Sequence, residues 1–155
     1  MKIKSVMKSD LATSFQSENL HKAAEIMWNH DCGVVPVLDR SRKLVGMITD
    51  RDIAMAAYTT GKPLDSMKVR DVMSSAVQSC NENDDIEVAE DMMRRFQMRR
   101  LPTFNNKGDL AGIVSLNDIA QAFSKDKGKS VKAESLAKTL SGICAPRQQT
   151  ASATA

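Results

Sequence analysis

The sequence predicts an α/β (α+β) fold built from two tandem copies of one β-α-β-β-α unit. The chain has 155 residues, about one ordinary domain, and 42% of them are hydrophobic, which is enough for a core. It also repeats itself at a constant offset of 66 residues. Since one unit is too small to bury its own helices, we expect the two to pack as one pseudo-twofold module. The recurring residues are Val6-Met7, Pro36, Gly46 and Asp52-Ile53-Ala54, matched by Val72-Met73, Pro102, Gly112 and Asp118-Ile119-Ala120.

Each unit is predicted to begin with a short strand, near residues 12–15 and 78–81, followed by an amphipathic helix. Asn19 and Asp85 stand where a helix N-cap is expected. The apolar residues that follow recur with helical spacing, which indicates one buried face. These residues are Leu20, Ala23, Ala24, Met27 and Trp28 in the first unit, and Ile86, Ala89, Met93 and Phe96 in the second.

Two strands and a second helix complete each unit. Apolar runs at 34–38 and 101–104 are each followed by a polar link and a second apolar run, at 44–48 and 110–114. The second helix is predicted to start near Asp52 or Asp118. We therefore assign residues 1–65 to the first repeat and residues 66–124 to the second.

The C-terminal residues 125–155 lie outside the repeat. Residues 124–132 are rich in lysine and predict a flexible basic linker. Residues 133–143 predict a short helix with Leu136, Leu140 and Ile143 on one face. Residues 147–155, rich in Ala, Ser and Thr, predict disorder.

Composition argues against several classes of function. The formal net charge is +3, and the four lysines and one aspartate between Lys125 and Lys132 account for it, so a basic nucleic-acid-binding face is not expected. The three cysteines lie far apart without a CxxC pair, and His21 and His30 have no partner at ligand spacing, so we expect no metal. Without a signal peptide or membrane span, the prediction is a cytoplasmic protein with no membrane partner.

One segment in each repeat can bind a ligand. The runs 46–52 and 112–118 each end a strand with a hydroxyl residue, Thr49 or Ser115, and place Asp52 or Asp118 three positions later at a helix start. This spacing is first of all that of a capping box. The same helix N-terminus can hold a phosphate, and the carboxylate suits the paired hydroxyls of a ribose. Both roles can coexist. We expect Gly46 and Gly112 to let a ligand approach the strand closely.

The Gly-x-x-(Thr/Ser)-x-x-Asp pattern, the proline upstream and the Val-Met openings resemble paired cystathionine-β-synthase (CBS) domains. The resemblance covers residues 1–124 and is closest to stand-alone bacterial proteins made of one CBS pair. Residues 49–53 and 99–102 stand where that group has its most typical stretches. The resemblance implies a Bateman module, in which two repeats enclose two clefts for adenine nucleotides such as AMP, ADP or ATP.

The resemblance also implies the role of each site residue. Asp52 and Asp118 correspond to the ribose-binding residues, and Leu101 is among those expected to flank the base. Arg51 is expected to reach the phosphate of the opposite cleft. Because the first repeat has Gly33-Val34 where the second has two arginines, we expect Arg51 and Arg99 to serve the Asp118 cleft, and the Asp52 cleft to borrow Arg100 or bind a less charged ligand. The full expected sets are Thr49, Ser115, Arg51, Arg99 and Arg100 for phosphate, and Val35, Met47, Leu101 and Ile113 for the base.

The leading hypothesis is a non-catalytic sensor of an adenine nucleotide, acting on an unidentified regulated protein. The alternatives are an interaction module with vestigial clefts, or a site for NAD or S-adenosylmethionine. No nucleophile–base pair, metal cluster or phosphate-binding loop of the nucleoside triphosphatases supports an enzyme, so no catalytic residue is assigned. Apolar residues on more than one helix face, Met27-Trp28, Ala54 and Ala57-Tyr58, predict a homodimer through the helices of the repeats.

Overall fold

The computed structural model describes residues 1–146, and the segment expected to be disordered lies outside them. Both repeats contain the predicted order of strands and helices. The first repeat holds β1 (Ser14–Phe15), α1 (Leu20–Asn29), β2 (Val34–Leu38), β3 (Leu44–Thr49) and α2 (Asp50–Thr60). The second holds β4 (Cys80–Asn81), α3 (Ile86–Phe96), β5 (Arg100–Phe104), β6 (Leu110–Ser115) and α4 (Leu116–Asp126), and α5 (Ala133–Cys144) follows.

Each repeat forms its own three-stranded sheet. The strand orders are β1-β2-β3 and β4-β5-β6, with the first pair parallel and the second antiparallel in both sheets. The registers correspond: Val35 pairs with Ile48, and Leu101 pairs with Val114. These four side chains are fully buried in two hydrophobic cores, one for each repeat. The mixed α+β architecture expected from the repeat is thereby confirmed.

The two first helices begin differently. The Asn19 side chain accepts a hydrogen bond from the Lys22 amide, which confirms the predicted cap of α1. Asp85 is likewise the N-cap residue of α3, as predicted, but its side chain accepts no hydrogen bond from the helix. Its carboxylate lies 3.1 Å from Lys2 Nζ, and so ties the N-terminal segment to the second repeat.

The segments that precede the repeats are exchanged between them. Ile3 is fully buried in the core of the second repeat, where its amide donates to the Asp84 carbonyl at 3.0 Å. Val69 is fully buried in the core of the first repeat. Two short 3-10 helices, Ile3–Ser5 and Val69–Asp71, carry these residues. Dividing the chain at residue 65 therefore follows the sequence repeat and not the packing.

These exchanged segments also explain two glycines. A Cβ atom at Gly112 would lie 2.7 Å from the Lys8 carbonyl oxygen, and one at Gly46 would lie 3.0 Å from the Ser74 carbonyl oxygen. The expectation that both glycines make room for a ligand is therefore wrong. They make room for protein backbone, since Lys8 pairs with Ile113 and Ser74 pairs with Met47.

The C-terminal segment is more ordered than its composition predicted. The expected linker contains the end of α4, and then a turn in which the Asp126 carboxylate accepts hydrogen bonds from the amides of Gly128, Lys129 and Ser130. Hydrogen bonding from the Ser130 side chain, and then from these amides, holds the pKa of Asp126 below its ordinary value. Val131 is buried in the core of the second repeat. The prediction of a flexible linker is therefore wrong.

Helix α5 packs along α3. Its predicted face is correct for Ile143, which is buried, and for Leu136, which packs partly buried against the same core. It is wrong for Leu140, which is half exposed. Among residues 1–146, no helix is both long and apolar enough to cross a membrane.

Candidate functional site

The turn from β3 into α2 fixes the first pair of candidate residues. Thr49 is the N-cap of α2, and its hydroxyl accepts a hydrogen bond from the Asp52 amide at 3.1 Å. In return, Asp52 Oδ2 accepts from the Thr49 amide at 2.9 Å and from its hydroxyl at 2.7 Å. The capping box is thus complete. It uses one carboxylate oxygen, and Oδ1 accepts no hydrogen bond from a described residue.

The turn from β6 into α4 repeats this geometry. Ser115 and Asp118 form the same reciprocal capping box, with Asp118 Oδ2 accepting from the amide and the hydroxyl of Ser115. Both aspartates are only partly buried. Each helix start therefore holds a carboxylate in a fixed orientation, with one oxygen left for a ligand.

Two clefts lie between the repeats, and each takes its hydroxyl–carboxylate pair from one repeat and its opposite wall from the other. The Asp52 cleft has a volume of about 570 Å³, and the Asp118 cleft about 700 Å³, both suited to a small-molecule ligand. The Asp52 cleft is lined by Val34, Met47, Thr49, Arg51, Asp52, Ser74, Ala76, Val77, Gln78, Gln97, Met98, Arg99, Arg100, Pro102 and Ile143. The Asp118 cleft is lined by Met7, Lys8, Ser9, Asp10, Leu11, Ala12, His30, Asp31, Cys32, Val34, Arg100, Ile113, Ser115, Asn117 and Asp118.

Arg51 and Arg99 lie on the opposite side from the one expected from the sequence, whereas Arg100 lines the Asp52 cleft as expected and the Asp118 cleft as well. Arg51 and Arg99 line the Asp52 cleft and not the Asp118 cleft. Because each cleft joins a helix start to the opposite repeat, Met98 and Arg99 line the cleft of Asp52, while Cys32, the equivalent of Met98, lines the cleft of Asp118. Arg51 belongs to the same helix start as Asp52 and stays on its own side.

The electrostatic contrast between the clefts is large. The Asp52 cleft holds three arginines and one carboxylate, and none of the three guanidinium groups forms an ion pair with another residue of the described chain. The Asp118 cleft holds three carboxylates, one arginine, one lysine and His30. An anion is therefore favoured in the first cleft and disfavoured in the second.

The strands place only part of the expected base-binding set in the clefts. Met47 lines the Asp52 cleft and Ile113 lines the Asp118 cleft. Val35 and Leu101 are fully buried in the two cores, and neither lines a cleft. The physical reason is strand alternation, since the neighbours of these residues point to the opposite face. The cleft-facing residues are Val34, Arg100 and Pro102.

Several lining residues were not predicted. Lys8 and Asp10 reach the Asp118 cleft because the N-terminal segment crosses to the second repeat. Ile143 reaches the Asp52 cleft from α5. The offset of 66 residues could have predicted Lys8 and Asp10, since Ser74 and Ala76 stand at the equivalent positions of the other cleft. The repeat could not predict Ile143, because α5 has no counterpart in the first half.

A groove on the outer face of the first repeat lies apart from both clefts. It has a volume of about 530 Å³ and runs between α1 and α2, with Met27, Trp28, Ile53 and Ala57 among its lining residues. Trp28 is 87% exposed and nearby Tyr58 on α2 is 83% exposed. The equivalent face of the second repeat is covered by α5, so the two repeats differ in what they present to other molecules.

The three cysteines are free, and burial together with nearby Asp84 raises the pKa of the Cys80 thiol to about 12. Among the residues that the structure describes, no group of three or more His, Cys, Asp or Glu side chains is placed so that it could hold a metal ion.

Comparison with known proteins agrees with this geometry. The family model described as the CBS domain matches residues 3–58 and 69–125. The CBS domain-containing protein YhcV of Bacillus subtilis is 36% identical over 118 residues, which cover 76% of this chain and 82% of YhcV.

Two solved structures share the fold. The CBS domain pair of MJ0100, in complex with 5′-methylthioadenosine and S-adenosyl-L-methionine, is 24% identical at a TM-score of 0.72, covering 81% of this chain and 98% of that one. CBSX2 in complex with AMP is 23% identical at a TM-score of 0.70, with the same coverage of 81% and 98%. The two matched domains agree with the internal repeat at a constant offset and with the two clefts, which have one capping box each. The chain belongs to the CBS domain family and contains a tandem pair.

Proposed function

We propose that the chain is a non-catalytic regulatory module that binds an adenine nucleotide of the AMP, ADP or ATP type in the Asp52 cleft. One observation carries the proposal: Arg51, Arg99 and Arg100 line the cleft that also holds the Thr49–Asp52 cap. The arginines supply charge and forked donors for phosphate. The free oxygen of Asp52 suits a ribose hydroxyl, and Met47 offers an apolar surface to a base.

The two solved CBS pairs support this class of ligand. CBSX2 was solved with AMP, and MJ0100 with 5′-methylthioadenosine and S-adenosyl-L-methionine, so adenosine is common to all three ligands. In this chain the charge of each cleft then selects among adenosine compounds. The Asp52 cleft suits the ones that carry phosphate.

The Asp118 cleft suits a different member of the same class. Its hydroxyl–carboxylate pair is the same as in the Asp52 cleft, while Asp10 and Asp31 add negative charge. We expect this cleft to bind adenosine ligands that lack phosphate, and to prefer a cation such as S-adenosylmethionine over AMP.

The exposed face of the first repeat favours a homodimer. Trp28 and Tyr58 are almost fully exposed beside the apolar groove between α1 and α2, and exposed aromatic residues are enriched at protein interfaces. Because α5 covers the equivalent face of the second repeat, we propose a dimer through α1 and α2 alone. The sequence had favoured the helices of both repeats.

Calorimetric titration with AMP, adenosine and S-adenosylmethionine at two salt concentrations tests the function. We expect AMP to bind one cleft more tightly than adenosine does, with an affinity that falls as salt rises. S-adenosylmethionine should bind with the weaker salt dependence of the other cleft. Absence of binding by all three compounds would contradict the proposal and leave an interaction module as the better description.

A further inference from the structure

Helix α5 lies outside the matched CBS residues, which end at 125, and it packs on the second repeat through polar groups as well as apolar ones. Glu90 on α3 is 1% exposed, and its carboxylate accepts hydrogen bonds from the hydroxyls of Ser135 at 2.8 Å and Thr139 at 3.3 Å. Arg94 Nη1 donates to Thr139 Oγ1 at 3.1 Å. Because buried Glu90 depends on these hydroxyl groups for its hydrogen bonds, the surface of α3 is specific for α5.

The same interface can open without leaving a buried charge. If α5 separates from α3, water can reach the Glu90 carboxylate and replace the lost hydroxyl donors. Residues 127–132 connect α4 to α5, and Val131 among them is buried in the core of the second repeat, so an undocked α5 would stay tethered there while Ile143 leaves that core.

The C-terminal end of α5 reaches the Asp52 cleft. Ile143 is 8% exposed, belongs to the core of the second repeat and also lines the cleft. Gln97, another lining residue, donates its side-chain amide to the Ala145 carbonyl at 2.7 Å. The part of the Asp52 cleft lining that Ile143 supplies therefore exists only while α5 is docked. The Asp118 cleft has no lining residue from α5.

We infer that docking of α5 on α3 and occupancy of the Asp52 cleft stabilise each other, so that α5 reports the state of this cleft. The inference rests on the proposed nucleotide binding. A ligand that contacts Ile143 binds the docked form better than the undocked one, and thermodynamic linkage then requires docking and binding to change each other's equilibrium by the same factor. The undocked form would expose Glu90, Arg94 and the apolar side of α3, a surface for a regulated protein.

Hydrogen exchange of the full chain with and without AMP tests the inference. We expect AMP to slow exchange of the α5 amides about fivefold or more, within the usual range of coupling factors, while amides of α1 change less. A Thr139→Asp variant places a second carboxylate beside Glu90 and should release α5. Its α5 amides should exchange rapidly, and its dissociation constant for AMP should rise by about the same factor.

The Ser141→Asp variant is the matched control, because it adds the same charge at an exposed position of α5. It should behave as the wild type in both measurements. If AMP binds the wild type but α5 exchange stays constant or accelerates, the inference is overturned while nucleotide binding stands. The same holds if Thr139→Asp releases α5 without weakening AMP binding. If AMP does not bind the wild type, the AMP assignment fails and the inference fails with it.

Discussion

Asp52 Oδ2 accepts hydrogen bonds from both the amide and the hydroxyl of Thr49, while Oδ1 accepts none from residues 1–146. The two oxygens of one carboxylate are thereby separated into a structural and a ligand-facing function. An asparagine can keep the first, because its single carbonyl oxygen can accept from Thr49. It replaces the second with an amide donor.

We therefore expect Asp52→Asn to weaken AMP binding by about 1.5–3 kcal/mol, the cost of losing hydrogen bonds to a charged group. The free energy of unfolding should fall by about 1 kcal/mol or less, since the cap is largely kept. Calorimetry and a denaturant melt on one sample measure both. Asp118→Asn is the control, with the same effect on stability and none on the AMP site. A loss of stability with unchanged AMP affinity would reduce Asp52 to a helix cap.

The second prediction concerns phosphate recognition by Arg99. Arg99→Ala should lower the ratio of AMP to adenosine affinity by about tenfold, because one charge-assisted contact contributes about 1.5 kcal/mol. Arg95→Ala removes the same charge from a residue that lies over the Phe96 ring and lines neither cleft. It should leave the ratio unchanged. Equal effects of the two substitutions would mean that the ratio depends on the net charge of the protein and not on a contact between Arg99 and the phosphate.

Arg100 differs from Arg99 because it lines both clefts. Arg100→Ala should therefore alter binding at both sites in opposite directions. AMP should bind the Asp52 cleft several-fold more weakly, and a cationic adenosine ligand should bind the already acidic Asp118 cleft more tightly. Titrations with AMP and with S-adenosylmethionine measure the two effects. A change confined to one ligand would show that the guanidinium serves a single cleft.

A fourth prediction tests the proposed dimer. The wild type should have twice the 17.0 kDa chain mass in light scattering, and Trp28→Glu should return it to one chain mass. A charge cannot be buried in an apolar interface without a large desolvation cost. Leu140→Glu places the same charge on the half-exposed side of α5 and should leave the mass of the assembly unchanged. A wild-type mass of 17.0 kDa would contradict the dimer outright.

The fifth prediction concerns cysteine chemistry. Burial raises the pKa of Cys80 to about 12, whereas Cys144 is exposed. Because the thiolate is the reactive form, iodoacetamide at pH 8 should modify Cys144 and spare Cys80 until the protein unfolds. An unfolded Cys80 ionises near its ordinary value of 9.0, so its contribution to stability is complete below pH 9 and declines toward pH 12. Peptide mass mapping measures the labelling, and rapid native labelling of Cys80 would contradict this burial.

The repeat predicted most of the fold because its offset relates every strand and helix of the two halves. Composition could not predict the order of residues 124–132, since the turn depends on Asp126 accepting three backbone amides. Asp85 takes the predicted N-cap position of α3, but its carboxylate pairs with Lys2, which is distant in the sequence, and not with a helix amide. The first difference comes from a local turn that composition alone does not register, and the second from a contact between residues far apart in the sequence.

The sequence predicted which residue types form the site, but not which of the two clefts each residue lines. Both capping boxes follow from local spacing, which is why Thr49 and Asp52 stand where expected. Arg99 was assigned to the wrong cleft because its side depends on how the two repeats face each other. Val35 was assigned to the base because strand alternation gives two faces, and the sequence of β2, apolar throughout, does not distinguish them.

The exchange of Ile3 and Val69 between the cores has a consequence for the origin of the chain. A single unfused repeat would lack the segment that completes its own core. Two such repeats could complete each other by swapping their leading segments, as a domain-swapped pair of separate polypeptides. Joining them end to end makes the swap intramolecular and replaces dependence on protein concentration with a fixed effective concentration. Once joined, the halves could diverge, and one cleft could become basic while the other became acidic.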